Sequence, residues 1–131
     1  MENSIREDMR FTKVYPNQSF VQEVINLGKE KGHDIRTASV FCTPSIILEY
    51  THLDEIRSFD TDLIEMETSS FYLMTELLDV PGIALLVVSD NSATGAALVG
   101  RTEEEQQKYD RGRNVVLPDM IFAIAGMSVE D

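Results

Sequence analysis

Apolar positions along the chain follow two periods, one typical of helices and one typical of strands. Phe20, Val24 and Leu27 recur at helical spacing, and Gly32 stands where a glycine can end such a helix. Ile83–Val88 is instead a continuous apolar run of strand length, typical of a strand covered on both faces. The pattern predicts strands at 34–41, 60–67 and 83–88. It predicts helices at 17–31, 52–58, 68–80, 102–109 and 118–125, with a break at 110–114.

Polar residues at capping positions predict where several of these helices begin. Ser19 with Gln22, and Thr51 with Asp54, have the spacing of a capping box, in which two side chains satisfy the first backbone N–H groups. Thr102 precedes three glutamates, and negative side chains are favoured in the first turn of a helix. These positions therefore predict three helix starts.

The segment from Asp60 to Asp90 has the pattern of a strand, a helix and a second strand, with Pro81 and Gly82 ending the helix. Parallel strands joined in this way end at the same edge of a sheet, where ligands of open α/β sheets bind. Glu65 and Glu67 come at the end of the first strand, and Ser89 and Asp90 follow the second. The pattern therefore predicts that these polar side chains share one edge of the sheet.

Composition and charge narrow the class of protein. The chain has 131 residues, 43% of them hydrophobic and 26% charged, which predicts a single globular domain over 1–131. Its formal net charge of -12 argues against binding to nucleic acid or to anionic membranes, because phosphate contacts need Lys and Arg. The polar N-terminus and the lack of a long apolar run predict neither a signal peptide nor a transmembrane helix. With a single cysteine, these features predict a cytoplasmic protein.

The few histidines and the one cysteine form no pattern of a metal site or of a nucleophile with its base. His33 and His52 stand alone, and Cys42 has no histidine at a recognisable spacing, so we interpret Cys42 as a buried structural thiol. No familiar glycine-rich phosphate-binding motif occurs. We therefore expect no metal and no cofactor.

Four segments, in their order along the chain, resemble the nucleoside phosphorylase and nucleosidase superfamily. They are Ile5–Asp8, the triplet Glu65–Glu67 before a helix, the apolar strand ending in Ser89 and Asp90, and the closing helix around Asp119–Gly126. The similarity is to the C-terminal half of the purine and uridine phosphorylase branch with smaller subunits. It implies an α/β fold, part of a three-layer αβα architecture with a mixed, partly parallel sheet. It also implies that the family's Gly-rich and Arg-bearing phosphate-binding segments lie upstream of this sequence.

The resemblance implies an enzyme that transfers ribose from a base to inorganic phosphate, with phosphate as co-substrate and no other cofactor. A nucleosidase that uses water is the alternative among enzymes. A catalytically inactive nucleoside-binding or subunit-like fragment is the alternative from another class. The family also forms dimers, trimers or hexamers. We therefore expect a nucleoside as ligand and, as partner, either further copies of this chain or a chain that supplies the N-terminal half.

The triplet Glu65, Met66 and Glu67 suits a ribose. A carboxylate accepts two hydrogen bonds at once, and ribose presents adjacent 2′ and 3′ hydroxyls at a matching separation. Glu67 is the candidate clamp, in a role that resembles that of the family's second glutamate. Met66 offers a flexible apolar surface against the sugar, as the family's methionine does. The alternative is a pair of surface glutamates at a helix start, because Asp and Glu are mostly exposed.

Asp90 is the candidate general acid. A carboxyl group that ends an apolar strand is expected to be partly buried, and desolvation favours its protonated form, which can donate to the leaving base. The resemblance implies that Asp90 acts on N7 of a purine and that Ser89 orients the base or Asp90. The alternative is that Asp90 caps the following loop as an Asx-turn.

Three further residues are candidates for the predicted nucleoside site. The family places an aromatic ring after the strand at 34–41, where this chain has Thr43–Ile47 without one, so Phe41 and Tyr50 are the candidate substitutes. Arg101 stands near the place where purine enzymes carry an arginine after the Asp loop. The alternative for Arg101 is an ordinary surface arginine.

Overall fold

A computed structural model describes residues 13–92 and 100–127. Contacts within the chain divide the described residues into two compact units, the first with 13–22 and 36–83 and the second with 23–35, 84–92 and 100–127. Organisation as a single domain over 1–131 stays a prediction. The helices and strands are α1 (Gln18–Glu30), β1 (Val40–Cys42), α2 (Ile46–Arg57), β2 (Leu63–Glu65), α3 (Thr68–Leu77), α4 (Glu103–Arg111) and α5 (Leu117–Ala125). Among these helices, none combines the length and apolar character that a membrane span requires.

A parallel pair of strands lies at the centre of the first unit. β1 pairs with β2 so that Phe41 faces Ile64 and Cys42 faces Glu65, and α2 connects the two strands. Phe41 and Ile56 are buried, and the rings of Phe41 and Phe59 stack with centroids 5.3 Å apart. These apolar contacts hold α2 on the sheet. The predicted α/β class is confirmed, but the parallel pair lies one element earlier in the chain than predicted.

The prediction of a strand at 83–88 is wrong for the described residues, whose sheet consists of β1 and β2. The other two strands are shorter than predicted, at 40–42 and 63–65. An apolar run indicates burial, whereas a strand also needs a neighbouring backbone to pair with. Periodicity alone contains no information about that neighbour.

Asp62 fixes the start of β2 against β1. Its carboxylate accepts hydrogen bonds from the backbone N–H of Ser39 at 2.7 Å and from the Ser39 hydroxyl at 2.8 Å. These bonds from the Ser39 backbone and side chain hold the pKa of Asp62 below its usual value. The N–H of Asp62 in turn donates to the Ser39 carbonyl at 3.0 Å. The register of the pair is thereby set before the strands begin.

The first helix agrees closely with its prediction, although its N-cap differs. Asn17 caps α1, because its side-chain oxygen accepts from the N–H of Phe20 at 3.1 Å, whereas Ser19, the predicted cap, donates its hydroxyl to Asn17. Gly32, with φ of 74°, ends the helix as predicted. The N–H of His33 reaches the Gly28 carbonyl at 2.8 Å, which completes a Schellman motif.

The second helix begins six residues earlier than predicted. Ser45 caps α2 by accepting from the N–H of Ile47 at 3.1 Å. The predicted cap, Thr51, instead donates its hydroxyl back to the Ile47 carbonyl at 2.8 Å. The next residue, His52, leaves helical geometry with φ of -126° and ψ of 22°. The polar pattern at 51–54 therefore marks a kink within a helix rather than its start.

In the second unit, the predicted break at 110–114 is wrong, because a π-helical segment, Gly112–Val116, joins α4 to α5. Pro118 has no N–H, and its ring would clash with the carbonyl four residues before it in an α-helix. In this structure the segment before Pro118 is π-helical, and the N–H of Leu117 donates to the Gly112 carbonyl, five residues before it. The predicted start at Thr102 is confirmed by a capping box with Glu105.

The C-terminal end of α1 packs against α5 in the second unit. Met120 on α5 is 1% exposed, and a Cβ on Gly28 would lie 3.7 Å from the Met120 methyl carbon. Asp119 accepts hydrogen bonds from Lys31 at 2.8 Å and from the buried His33 ring at 2.7 Å. Lys31 first and His33 second lower the pKa of Asp119.

Candidate functional site

The carboxyl end of β2 leads directly into α3, and Glu65 holds this turn together. Its Oε2 atom accepts from the N–H of Glu67 at 2.7 Å and from the N–H of Thr68 at 2.8 Å, and its Oε1 atom lies 3.0 Å from the same Thr68 nitrogen. The first N–H groups of a helix have no partner within the helix, and a carboxylate near them is stabilised by accepting their hydrogen bonds. Glu65 is therefore the side chain that caps α3.

Cys42 connects this cap to the neighbouring strand. Cys42 faces Glu65 in the parallel register, and its thiol donates a hydrogen bond to Oε1 of Glu65. The N–H of Ser69 in turn donates to the Cys42 sulfur at 3.1 Å. Burial and the bond to Glu65 raise the pKa of the Cys42 thiol, so the sulfur keeps its proton and acts as a donor.

The ionisation of Glu65 follows from the same contacts. Burial by itself would raise the pKa of Glu65, but hydrogen bonds from Cys42 and from the N–H groups of Glu67 and Thr68 together hold it below its usual value. Glu65 is therefore a carboxylate that accepts hydrogen bonds, while Cys42 donates one.

Glu67 and Met66 lie on the outside of the same turn. β2 ends at Glu65, so strand alternation no longer applies after it, and Glu67 is exposed while Glu65 is turned inward. The carboxylate of Glu67 makes no capping bond to α3 although Glu67 occupies the N-cap position. Met66 is 46% exposed. The turn thus exposes a carboxylate and, on the residue before it, a flexible apolar side chain.

Phe41, which we predicted to substitute for the stacking ring, is 6% exposed and packs on Phe59. This packing makes Phe41 part of the core of the first unit, and its contact with a base stays a prediction. Tyr50, the other candidate, is 75% exposed on α2.

Ser89, Asp90 and Arg101 lie together in the second unit. The Ser89 hydroxyl donates to Oδ1 of Asp90 at 2.7 Å, and the Arg101 guanidinium donates to the Ser89 carbonyl. Arg101 also lies 4.0 Å above the centre of the Tyr109 ring, in a cation–π contact. Asp90 itself is exposed, so the burial expected from the preceding apolar run is not observed. The meeting of Asp90 with Glu67 at one sheet edge stays a prediction.

Sequence reasoning interpreted Cys42 as a buried structural thiol, but Cys42 is only half-buried, and its contact with Glu65 was missed, as was the contact of Tyr109. Cys42 ends one strand and Glu65 ends the next, and only the register of the parallel pair shows that the two residues face each other. Tyr109 follows Arg101 by eight residues, and the helix capped by Thr102 brings its ring under the guanidinium. Within residues 13–92 and 100–127, the side chains of His, Cys, Asp and Glu form no cluster of three or more that could hold a metal ion.

Comparisons with known proteins show the family to which the sequence is similar. A sequence model of the Phosphorylase superfamily matches residues 8–116. The chain is 26% identical over 105 residues to the purine nucleoside phosphorylase DeoD-type of Anoxybacillus flavithermus (strain DSM 21510 / WK1), an alignment that covers 80% of this chain and 44% of that protein. The purine nucleoside phosphorylase DeoD-type of Geobacillus stearothermophilus matches with the same identity and coverage. The chain thus spans less than half the length of these relatives. No solved structure matches it significantly.

Proposed function

The chain belongs to the phosphorylase superfamily, and from this premise we propose that it is the nucleoside-binding part of a purine nucleoside phosphorylase-like enzyme. The exposed pair of Met66 and Glu67, on a turn held by Glu65, is the observation that supports this function most directly. In the proposal, the Glu67 carboxylate accepts hydrogen bonds from the 2′ and 3′ hydroxyls of the ribose. Met66 packs against the sugar ring.

The proposed reaction breaks the bond between C1′ of the ribose and the base nitrogen. The electron pair of that bond passes to the base, Asp90 supplies a proton to the base, and a phosphate oxygen bonds to C1′. Positive charge develops on the sugar as the bond breaks, and the nearby Glu67 carboxylate stabilises that charge. The Ser89 hydroxyl, bonded to Asp90 at 2.7 Å, orients the acid.

The chain aligns with less than half of each relative, and this leaves two alternatives to the proposed reaction. Because the chain aligns with 44% of each relative, the groups that bind phosphate in those proteins need not be present here. Hydrolysis by water, or nucleoside binding without turnover, are the two alternatives. Base release from inosine, measured with and without phosphate, separates phosphorolysis from hydrolysis. Calorimetry on the same sample detects binding without turnover.

The first test of the proposal is the substitution Glu67→Gln. The amide removes one acceptor from a contact with two hydroxyls, and a charged hydrogen bond contributes about 1.5 to 3 kcal/mol, which corresponds to a loss of about 10- to 150-fold in affinity. Inosine, with both hydroxyls, should lose more affinity than 2′-deoxyinosine. Isothermal titration calorimetry with the two nucleosides measures the difference.

Glu76→Gln is the matched control, because Glu76 is an exposed glutamate on α3 outside the proposed site. It should leave both affinities unchanged. Equal losses of inosine and 2′-deoxyinosine in Glu67→Gln would show that Glu67 does not bind the 2′ hydroxyl.

We also propose that the chain associates, either with further copies of itself or with a chain that supplies the N-terminal half. Helix α3 and its C-cap residue expose large apolar side chains: Met74 at 52% and Leu77 at 70% on the helix, and Leu78 at 64% directly after it. The segment predicted as a strand exposes Val88 at 59%. Exposed apolar surface of this kind favours association because burying it removes apolar area from water.

Analytical ultracentrifugation tests the association. The chain should sediment as a species larger than 14.8 kDa at micromolar concentration, and replacing Leu77 and Leu78 by Lys should shift it toward the monomer. A single monomeric species for the unmodified chain would contradict the expectation of self-association.

We also propose a cytoplasmic location for the protein, because the free thiol of Cys42 suits a reducing compartment.

A further inference from the structure

The carboxylate of Glu65 is fully used by contacts within the protein. A carboxylate offers about four acceptor positions on its two oxygens. Three donors make four hydrogen bonds to Glu65: the Cys42 thiol and the N–H of Thr68 to Oε1, and the N–H groups of Glu67 and Thr68 to Oε2. A sugar hydroxyl would have to displace one of these donors, and the displaced N–H would lose its partner at the helix start.

From this geometry we infer that Glu65 is a positioning residue for the nucleoside site and does not itself bind the sugar. Glu65 holds the N–H of Glu67 at 2.7 Å, and this bond sets the backbone from which the Glu67 side chain projects. We therefore assign different roles to the two glutamates of the triplet. Glu65 shapes the turn, and Glu67 presents a free carboxylate on its outside. The inference rests on the proposed function, because it assigns Glu65 a role toward the sugar ligand Glu67.

Cys42 belongs to the same set of contacts, because it holds the Glu65 side chain. Its thiol donates to Glu65, and its sulfur accepts from the N–H of Ser69 at 3.1 Å. The Cys42 sulfur therefore connects the end of β1 to the first turn of α3. It contacts Oε1 of Glu65, whereas the N–H of Glu67 bonds to Oε2. A hydroxyl at position 42 could replace the donor, whereas a methyl group could not.

A double-mutant cycle between Glu65 and Glu67 tests the inference. Glu65→Gln removes the charge and replaces one of the two acceptor oxygens by an NH₂ group, so the side chain can no longer accept from all of its donors and the cap is weakened. We expect Glu65→Gln to weaken inosine binding by about 5- to 30-fold in the unmodified chain. In a Glu67→Gln background, the same change should alter affinity by less than about twofold, because the group that Glu65 positions is already removed. Independent effects that multiply would show that Glu65 binds the sugar directly and would overturn the inference.

Hydrogen exchange of the free chain provides a measurement without nucleoside. Glu65→Gln should speed exchange of the Glu67 and Thr68 amides by about 2- to 10-fold, also in the Glu67→Gln background. Unchanged exchange at both amides would overturn the inference. Cys42→Ala should speed exchange at Ser69 and weaken inosine, whereas Cys42→Ser should restore both. Cys42→Ala and Cys42→Ser also test the positioning role of Glu65 if Glu65→Gln fails to fold.

The two measurements distinguish failure of the inference from failure of the proposed function. If the unmodified chain does not bind inosine, or if Glu67→Gln leaves inosine affinity unchanged, the proposed clamp is wrong. The role of Glu65 in positioning a sugar ligand is then wrong with it, although altered exchange in Glu65→Gln would still show the cap. If Glu67→Gln weakens inosine while Glu65→Gln acts independently of it, the clamp stands and only the positioning role is overturned.

Discussion

Asp90→Asn is expected to slow base release about 10²- to 10⁴-fold when the chain is combined with the N-terminal half of a purine nucleoside phosphorylase. This is the range that general-acid catalysis contributes, and nucleoside affinity should change little. Asparagine keeps the shape of the side chain and an N–H donor, but its amide proton is not transferred to the leaving base. The Ser89 hydroxyl, now 2.7 Å from Oδ1 of Asp90, can still bond to the amide oxygen, so the local geometry should persist. Single-turnover release of hypoxanthine from inosine measures the rate, and calorimetry measures the affinity.

Asp34→Asn serves as the matched control, because Asp34 is an exposed aspartate of the same unit outside the proposed site. It should leave rate and affinity unchanged. Ser89→Ala should slow release less than Asp90→Asn, since Ser89 only orients the acid in the proposal. An Asp90→Asn enzyme as fast as its parent would remove Asp90 from the chemistry.

Two helix ends were predicted correctly from neighbouring residues alone. Gly32 ends α1 because a glycine adopts a positive φ at little cost, and Thr102 begins α4 because Glu105 lies within reach three residues later. Such signals are local and can be recognised in one sequence. The cap on Asn17 and the kink at His52 show the limit of this reasoning, because several polar residues in one stretch compete for the same N–H groups.

Strand pairing and the continuity of the last two helices were not predictable in the same way. The run at 83–88 has the composition of a buried strand, yet the described sheet joins 40–42 to 63–65. Pairing depends on residues distant in sequence, which an apolar run does not specify. A π-helical segment also precedes Pro118, although a proline in the first turn ordinarily indicates that a new helix begins there.

The candidate site shows the same division between local and distant information. Glu67 and Met66 could be selected from the triplet because it resembles the ribose-binding segment of the family, and because a carboxylate can accept from two adjacent hydroxyls. The resemblance also favoured Glu67 over Glu65 as the clamp. The contacts that hold Glu65 could not be predicted, because they include Cys42, 23 residues earlier in the chain and opposite Glu65 in the register. Among the described residues, donors surround the Glu65 carboxylate, whereas the Glu67 carboxylate makes no capping bond, and our proposal of different roles for the two side chains rests on this difference.

The 131-residue chain alone is expected to show almost no phosphorolysis of inosine, and activity should appear when the N-terminal half of a purine nucleoside phosphorylase is supplied as a partner or a fusion. Phosphate binding needs several N–H groups or cationic side chains directed at one point. Several cations of the described chain already have other partners, since Lys31 pairs with Asp119 and Lys108 pairs with Glu104. Arg101 donates to the Ser89 carbonyl.

The measurement is hypoxanthine release from inosine at saturating phosphate, with the chain alone, the added half alone, and the two together. Activity should be confined to the mixture and should fall with both Glu67→Gln and Asp90→Asn, because each removes a different part of the proposed chemistry. Robust phosphate-dependent release by the pure chain would show that it carries its own phosphate site. Release that proceeds without phosphate would favour hydrolysis, because water would then be the acceptor of the ribose.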